Sequence, residues 1–488
     1  MLSSSSTTHL ALYTKHGPEP LALQAALALT HTPQRPRTPP GLPLGALALP
    51  WCYAALLATG EEGRASAAVA SHRFALAATC SAACLAPLLL PHSIAPSAVL
   101  SAALAALSCW CLSTTLFHFL ALVGAALATS GAHVALLRAL PDTLTAGEAL
   151  LACHAAMLAA MTVGEQPETM DGVDAVALAL LLVPLAAATA TGPAVRRRQY
   201  GAAGAVCAGV FLAGYSVIAH ALRSHGDPFA WALDFLLAAT RRRVALLLLW
   251  IASLTVPLNA LLAAASRKRM PRIVLRKAFH VLALLAVAPA AALDPELLRI
   301  GLAAGGGALI VAEAARIGRM GRIGAAIGRI FAPFADDRDA GALVLSPFSL
   351  LLGMAAPVWM APQIRAGSEP LRLPLCAWAG ILALGVGDAA AAGVGAAYGR
   401  TKLFVGWSKT WKGTTAGGLA TLAAVFATLS LGAATAQDRP DGGWRSNAMM
   451  VRIVGATGVA TALEAVTAQN DNAFVPLAFF ALLRVAGA

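Results

Sequence analysis

Apolar runs of about twenty residues recur along almost the whole chain, and they limit what it can fold into. Hydrophobic residues make up 58% of the sequence and charged residues only 12%, whereas soluble domains carry roughly 25% charged residues. The runs are blocks of Ala, Leu and Val, and they lack the alternating strands of roughly ten residues that form membrane β-barrels. The sequence therefore predicts an all-α, polytopic transmembrane protein.

The apolar runs predict about 14–15 transmembrane spans. Their ranges are 41–59, 74–90, 94–112, 115–137, 144–164, 171–192, 200–222, 244–265, 278–293, 296–315, 342–362, 373–395, 414–434, 452–468 and 473–486. The stretch from Pro228 to Thr240 is too short, and too closely flanked by charge, to be counted among them. We predict three regions: a disordered tail over 1–40, a transmembrane scaffold over 41–265, and a transmembrane catalytic region over 266–488.

The net charge of +12 lies mainly in short loops between the predicted spans. That distribution follows the positive-inside rule, so it does not indicate nucleic-acid binding. An even number of spans separates the four polar loops 266–277, 316–341, 396–413 and 469–472, which places them on one face. The opposite loops carry fewer basic residues. The sequence therefore predicts that the polar face is cytoplasmic.

The densest polar segment runs from Gly385 to Thr415 and combines glycine, lysine and hydroxyl side chains. Glycine lets a backbone approach an anion closely, lysine supplies positive charge, and hydroxyls donate hydrogen bonds. No Walker A motif occurs, and a basic, glycine-containing membrane loop would have the same composition. The candidate nucleotide-binding residues are Gly387, Gly399, Lys402, Ser408, Lys409, Thr410, Gly413 and Thr414.

Three acidic residues lie within or beside apolar segments: Asp388, Glu464 and Asp471. A carboxylate in such a place is costly unless it is paired or bound to a metal. Mg²⁺ that binds with a nucleotide takes one or two carboxylates together with phosphate oxygens. We predict that these three residues hold Mg²⁺, and the alternative is that each aspartate pairs with a nearby Lys or Arg.

A series of motifs between residues 272 and 480 resembles the dolichol kinases. These belong to a wider group that includes CTP-using polyprenol kinases, phytol kinases and phosphatidate cytidylyltransferases. The matching segments are Arg276-Lys277-Ala-Phe-His280, Glu313 with Arg316, Phe334 to Gly341 including Asp337, Arg338 and Asp339, Leu345-Ser346, Leu350 to Trp359, Gly387-Asp388 to Gly399, Ser408 to Gly413, Glu464, and Asp471-Asn472 with Pro476. One departure is Lys412, because the family commonly has Glu at that position.

The resemblance implies transfer of the γ-phosphate of CTP to dolichol, giving dolichyl phosphate for glycosylation. It implies a multi-pass protein of the endoplasmic reticulum membrane with its site toward the cytosol, and a plastid membrane is the alternative. The expected chemistry is direct in-line transfer, with Asp388, Asp471 and His280 as the catalytic residues and Mg²⁺ as the cofactor.

Three other functions remain open from the sequence. A phytol or other polyprenol kinase shares most of the motifs, although such enzymes are usually shorter. A phosphatidate cytidylyltransferase shares the Lys-Thr-Trp string at Lys409 but has a long C-terminal signature with no counterpart here. A transporter would carry polar residues in corresponding positions of two halves, and here they cluster in one half.

Overall fold

The second half of the chain forms a helical bundle. In the computed structural model the described residues are 172–196, 200–221, 227–267, 272–332, 335, 339, 342–361, 372–403, 409–432, 434–435, 447–467 and 470–487. The predicted tail and the predicted spans before residue 165 lie outside them, as do Asp337, Arg338 and Ser408.

Helices make up nearly all of the described residues. In chain order they are α1 Gly172–Arg196, α2 Tyr200–Ala221, α3 Pro228–Ala238, α4 Thr240–Ser266, α5 Arg272–Leu293, α6 Pro295–Ile317, α7 Gly321–Phe331, α8 Ser346–Met360, α9 Ala389–Tyr398, α10 Trp411–Ser430, α11 Asn447–Val466 and α12 Asp471–Ala486. A 3₁₀ turn, Leu375–Trp378, and a π-helix, Ile381–Asp388, precede α9. Two short strands, β1 Leu373–Pro374 and β2 Ala434–Thr435, pair in parallel.

Among these residues, seven helical segments are long and apolar enough to cross a membrane. They lie in α1, α4, α5, α6, the π-helix with α9, α10 and α11. Helices α8 and α12 are shorter, with 15 and 16 residues. This composition confirms the all-α, polytopic membrane fold. Helix α3 has only 11 residues, which agrees with leaving Pro228–Thr240 out of the predicted spans.

Local sequence explains several helix starts. Asp227 accepts hydrogen bonds from the backbone N–H groups of Phe229 (2.8 Å) and Ala230 (3.2 Å) at the start of α3. Asp294 does the same for Leu297 (3.1 Å) at the start of α6. Each cap is followed by proline, which suits the first helical position because it lacks an N–H. The predicted span 373–395 starts differently: Pro374 lies in a strand, and a regular α-helix begins only at Ala389.

The segment from Leu373 to Leu384 runs through the centre of the hydrophobic core. Leu375, Cys376 and Ile381 are fully buried, and they pack among residues from α5, α6, α8, α10, α11 and α12. From α12 the core receives Phe479 and Phe480, which are also fully buried. The elements that carry the polar motifs are therefore fixed to one another by a shared core.

Side-chain contacts group the helix termini at two ends of the bundle. At one end, Lys277 near the start of α5 contacts Asp388 of the π-helix, and His280 of α5 contacts Asn472 at the start of α12. At the same end, Lys409 contacts the backbone carbonyl of Glu464 near the end of α11 and the side chain of Asp471 at the start of α12. At the other end, the pairing of β1 with β2 joins the segment before the 3₁₀ turn to the segment after α10. The predicted common face of the polar loops thus corresponds to one physical end of the bundle, called the polar end below.

We expect epitope tags inserted near residues 270, 330, 405 and 471 all to be accessible from the cytosol, because the polar end carries the excess of basic residues. Protease protection or cysteine labelling of intact microsomes would measure this. A tag after Gly432, at the other end of the bundle, is the control and should be protected. Protection of any of the four polar-end tags would contradict the arrangement.

Candidate active site

Asp388 is the last residue of the π-helix and is 8% exposed. Its Oδ2 atom forms an ion pair with Lys277 and lies 3.1 Å from Nε2 of His280. Lys277 and His280 are three residues apart on α5, so both side chains leave the same face of that helix. A buried carboxylate in an apolar segment is thereby contacted by two basic side chains from a single neighbouring helix.

The π-helix brings Asp388 to these partners. π-Helical turns are rare and occur often at functional sites. This one spans eight residues and packs against α5 and α10. Because a π-helix has more residues per turn than an α-helix, it changes the direction of every side chain that follows. Asp388 lies at the junction where regular α-helix resumes.

His280 is buried, and both of its ring nitrogens face oxygen atoms. Nδ1–H donates to the backbone carbonyl of Arg276 at 2.9 Å. Nε2 faces Oδ2 of Asp388 at 3.1 Å and Oδ1 of Asn472 at 3.5 Å. Both nitrogens are therefore already in contact with oxygen atoms of the protein in this arrangement. The geometry therefore suits a residue that orients Asp388 and links α5 to the start of α12.

Lys409 forms the second acid–base contact of the site. Its Nζ atom donates to the backbone carbonyl of Glu464 and lies 3.4 Å from Oδ2 of Asp471. The side chain of Glu464 is close enough to Asp388, Lys277, Lys409 and Asp471 to interact with their charges. One connected group of charged side chains therefore joins the π-helix, α5, the segment before α10, α11 and α12.

A short backbone bridge fixes the position of Lys409. Lys402 and Thr410 pair as an isolated antiparallel bridge, and the N–H of Leu403 donates to the carbonyl of Lys409 at 3.0 Å. The N–H of Trp411 donates to the carbonyl of Thr401 at 3.1 Å. These hydrogen bonds hold the segment just before α10 in place, and the Lys409 side chain extends from it to α11 and α12.

Thr410 and Gly413 act within the protein at the start of α10. The Thr410 hydroxyl accepts a hydrogen bond from the N–H of Gly413 at 3.2 Å, so Thr410 is the helix cap. The predicted span 414–434 corresponds to helix α10, which begins a few residues earlier, at Trp411, because the cap lies at Thr410. Thr414 is partly buried one position further on, and Lys402 is exposed.

The predicted nucleotide-binding glycines lie where the π-helix and α9 pack against α10. A Cβ atom on Gly413 would lie 2.7 Å from the carbonyl oxygen of Ala391. A Cβ on Gly387 would overlap the Thr421 hydroxyl, and one on Gly399 would overlap the side chain of Thr410, the cap of α10. The close approach of two helices is therefore sufficient to explain glycine at these positions.

The carboxylates fit a metal ion that arrives with a nucleotide. Among the described residues, no three His, Cys, Asp or Glu side chains are arranged to hold a metal by themselves. Mg²⁺ can bind with one or two protein carboxylates when phosphate oxygens complete its shell. Both contacts of Asp388 use Oδ2, and its other oxygen, Oδ1, takes part in neither. The metal set Asp388, Glu464 and Asp471 stays a prediction.

The remaining described motif residues organise the segment before α8. Glu313 forms two hydrogen bonds of 2.7 Å with Arg316 and accepts the N–H of Val344 at 2.7 Å. Asp339 accepts from the N–H of Leu345 (2.6 Å) and from the hydroxyl of Ser346 (2.6 Å), at the first turn of α8. These contacts join α6 to α8 at the polar end and give this part of the motif series a structural role.

Sequence reasoning missed a buried ion cluster at the other end of the bundle. Arg243 is 4% exposed and contacts Asp294 at 2.8 Å and Glu296 at 3.1 Å. It also lies 3.6 Å from the ring centre of Phe235. The consecutive arginines in the first turn of α4 gave a signal, but their acidic partners are about fifty residues away.

Comparisons with known proteins give relatives of one name. The chain is 35% identical over 260 residues to Dolichol kinase EVAN of Arabidopsis thaliana, covering 52% of this chain and 43% of that protein. It is 31% identical over 266 residues to the Dolichol kinase of Bos taurus, covering 53% of this chain and 47% of that protein. With the Dolichol kinase of Saccharomyces cerevisiae the identity is 28% over 191 residues, covering 39% of this chain and 33% of that protein.

The chain spans less than half the length of these curated relatives. No family model matches it. No solved structure matches it either. The resemblance to dolichol kinases that the motifs predicted is nevertheless confirmed, over about half of this chain.

Proposed function

We propose that the chain is a dolichol kinase that transfers the γ-phosphate of CTP to the hydroxyl of dolichol. The observation that carries the proposal is the joined pair of acid–base contacts, Lys277–Asp388–His280 and Lys409–Asp471, at the polar end of a membrane bundle. These residues lie in the motifs that resemble dolichol kinases. The named relatives support the same activity.

The proposed reaction is a direct in-line displacement. The dolichol oxygen forms a bond to the γ-phosphorus, the bond from that phosphorus to the β–γ bridging oxygen breaks, and CDP leaves. Such transfers need mainly positioning and charge stabilisation. Lys277 and Lys409, which neutralise carboxylates in this structure, are near enough to the site to contact phosphate oxygens when a nucleotide enters.

Asp388 and Asp471 would hold Mg²⁺, with Glu464 beside them, and the ion would neutralise phosphate charge when bound. His280 is assigned to orienting Asp388, because both of its nitrogens already face oxygen atoms. The alcohol proton is then assigned to one of the two aspartates. CTP as the donor rests on the resemblance alone. The proposed location is the endoplasmic reticulum membrane with the polar end toward the cytosol, and a plastid membrane is the alternative.

The reaction class is tested with membranes that contain the expressed chain, supplied with CTP labelled on either the γ- or the α-phosphate. Dolichol, phytol and phosphatidate are offered as separate acceptors. We expect γ-label in dolichyl phosphate and no α-label in any lipid, because a kinase transfers only the terminal phosphate. Label from the α-phosphate in a CDP-lipid would indicate a cytidylyltransferase, and γ-label in phytol alone would indicate a phytol kinase.

A further inference from the structure

The chain turns sharply between α6 and α7. Arg319 and Gly321, between the two helices, have positive φ angles of 48° and 53°. A Cβ atom on Gly324 would lie 2.7 Å from the carbonyl oxygen of Ala315, so α7 packs directly against the last turns of α6. Helix α7 has 11 residues and a length of roughly 16 Å, too short to cross the roughly 30 Å hydrocarbon layer.

Three stripes of side chains run along α7, each made of two residues seven positions apart. Gly324 and Phe331 are buried against the protein. Ile323 and Ile330 are 66% and 41% exposed. The third stripe consists of two exposed arginines, Arg322 and Arg329. Since neighbouring residues differ by about 100° around a helix, the isoleucine stripe lies between the buried stripe and the arginine stripe.

The bilayer is the apolar phase nearest to the exposed isoleucines. Helix α6 is one of the spanning segments and ends at Ile317, so α7 begins where acyl chains give way to headgroups. A short helix with one apolar and one basic stripe typically lies in that interface. Arginine stems can follow the apolar surface while the guanidinium groups reach the headgroups. Anionic lipids supply the matching negative charge.

We propose that α7 lies in the plane of the membrane interface at the polar end of the bundle. Ile323 and Ile330 insert among the acyl chains, and Arg322 and Arg329 bind headgroup phosphates of anionic phospholipids. This surface is independent of the proposed kinase reaction. It makes α7 a lipid-binding element at the polar end of the bundle.

The depth of α7 is tested by photo-crosslinking in the full chain. A photoreactive amino acid is placed singly at Ile323, Ile330 or Ala325, and each protein is reconstituted in vesicles of phosphatidylcholine and phosphatidylserine. Ala325 is exposed on the opposite side of the helix and is the matched control. We expect lipid adducts at 323 and 330 at several times the yield at 325. Equal yields at the three positions, or adducts with peptides of this chain instead of lipid, would overturn the proposal.

The headgroup contact is tested by measuring the phosphatidylserine that stays with the purified protein relative to phosphatidylcholine, using mass spectrometry. The double substitution Arg322→Gln and Arg329→Gln should weaken phosphatidylserine binding by roughly five-fold for each arginine. Arg241→Gln removes an exposed arginine from the other end of the bundle and should change nothing. Unchanged retention in the double variant would overturn the role given to the arginines. Neither measurement uses kinase activity, so its result is separate from the test of the proposed reaction.

Discussion

Asp388→Asn and Asp471→Asn are each expected to lower turnover on the order of 10²–10³-fold, the typical loss when one preorganised electrostatic group is removed from an active site. Asparagine keeps the size of the side chain but removes the charge that would face Mg²⁺ and phosphate. The measurement is dolichol phosphorylation at saturating CTP and magnesium, corrected for the amount of folded protein. Asp234→Asn changes an exposed aspartate on α3 and should leave activity intact.

Asp388→Asn also removes the ion-pair partner of the partly buried Lys277, and breaking such a pair should destabilise the protein by less than the roughly 3–5 kcal/mol of a fully buried pair. The combination Lys277→Met with Asp388→Asn separates the two effects, because it removes both charges. Because Lys277 and Asp388 are both assigned to the site, the double variant should recover thermal stability in detergent but not activity.

Recovery of both stability and activity in the Lys277→Met, Asp388→Asn variant would mean that the ion pair is only structural.

The Asp388→Asn, Asp471→Asn double variant should be little worse than either single variant, because groups that act together in one step do not contribute additively. Retention of more than about a tenth of wild-type activity in either single variant would remove that aspartate from the proposed site.

Gly353→Ala and Gly380→Ala are expected to destabilise the bundle by about 3 kcal/mol each, at the upper end of the usual cost of overpacking. A Cβ atom on Gly353 would overlap the backbone carbonyl of Asn472, and one on Gly380 would overlap the carbonyl of Gly353. Backbone atoms cannot move aside as a flexible side chain can. Gly353→Ala would force α8 and α12 apart, and Gly380→Ala would force the segment before the π-helix away from α8. The first of these shifts would also displace Asn472, which faces His280.

The measurement is the thermal unfolding temperature of each variant in detergent, followed by fluorescence-detected size-exclusion chromatography. Gly455→Ala is the matched control, because nothing lies within 4 Å of the added methyl group. In the interior of α11 that change should stabilise the helix by about 0.5–1 kcal/mol. Unchanged unfolding temperatures for Gly353→Ala and Gly380→Ala would show that the close backbone contacts do not constrain the bundle.

The spans could be predicted because the membrane restricts a chain more strongly than water does. The predicted ranges 171–192 and 296–315 correspond to α1 and α6 within a few residues. The π-helix could not be predicted, because Gly385, Gly387 and Asp388 indicate a functional segment but do not specify its hydrogen-bond pattern. Its hydrogen-bond pattern depends on how α5 and α10 pack against it, which is information from distant parts of the chain.

The polar residues of the site could be selected from the sequence, but their partners could not. Lys277 and Asp388 are separated by 111 residues, and Lys409 and Asp471 by 62. The sequence contains several Lys and Arg residues that could have paired with each of these aspartates. The glycines could not be assigned a role from the sequence for a different reason. A residue without a side chain allows close approach of either a bound phosphate or a neighbouring helix. At Gly387 and Gly413 the contacts made within the protein are with helix neighbours.

The pairing of each aspartate with a lysine has a consequence for biosynthesis. An aspartate that enters a bilayer alone costs up to about 3 kcal/mol on insertion scales. Lys277 precedes Asp388 in the chain, and Lys409 precedes Asp471. During synthesis the ribosome therefore delivers each cation to the translocon before the acid that it neutralises. By the time Asp388 or Asp471 leaves the translocon its partner has already been made, so the charged site can be assembled inside the membrane before any substrate is bound.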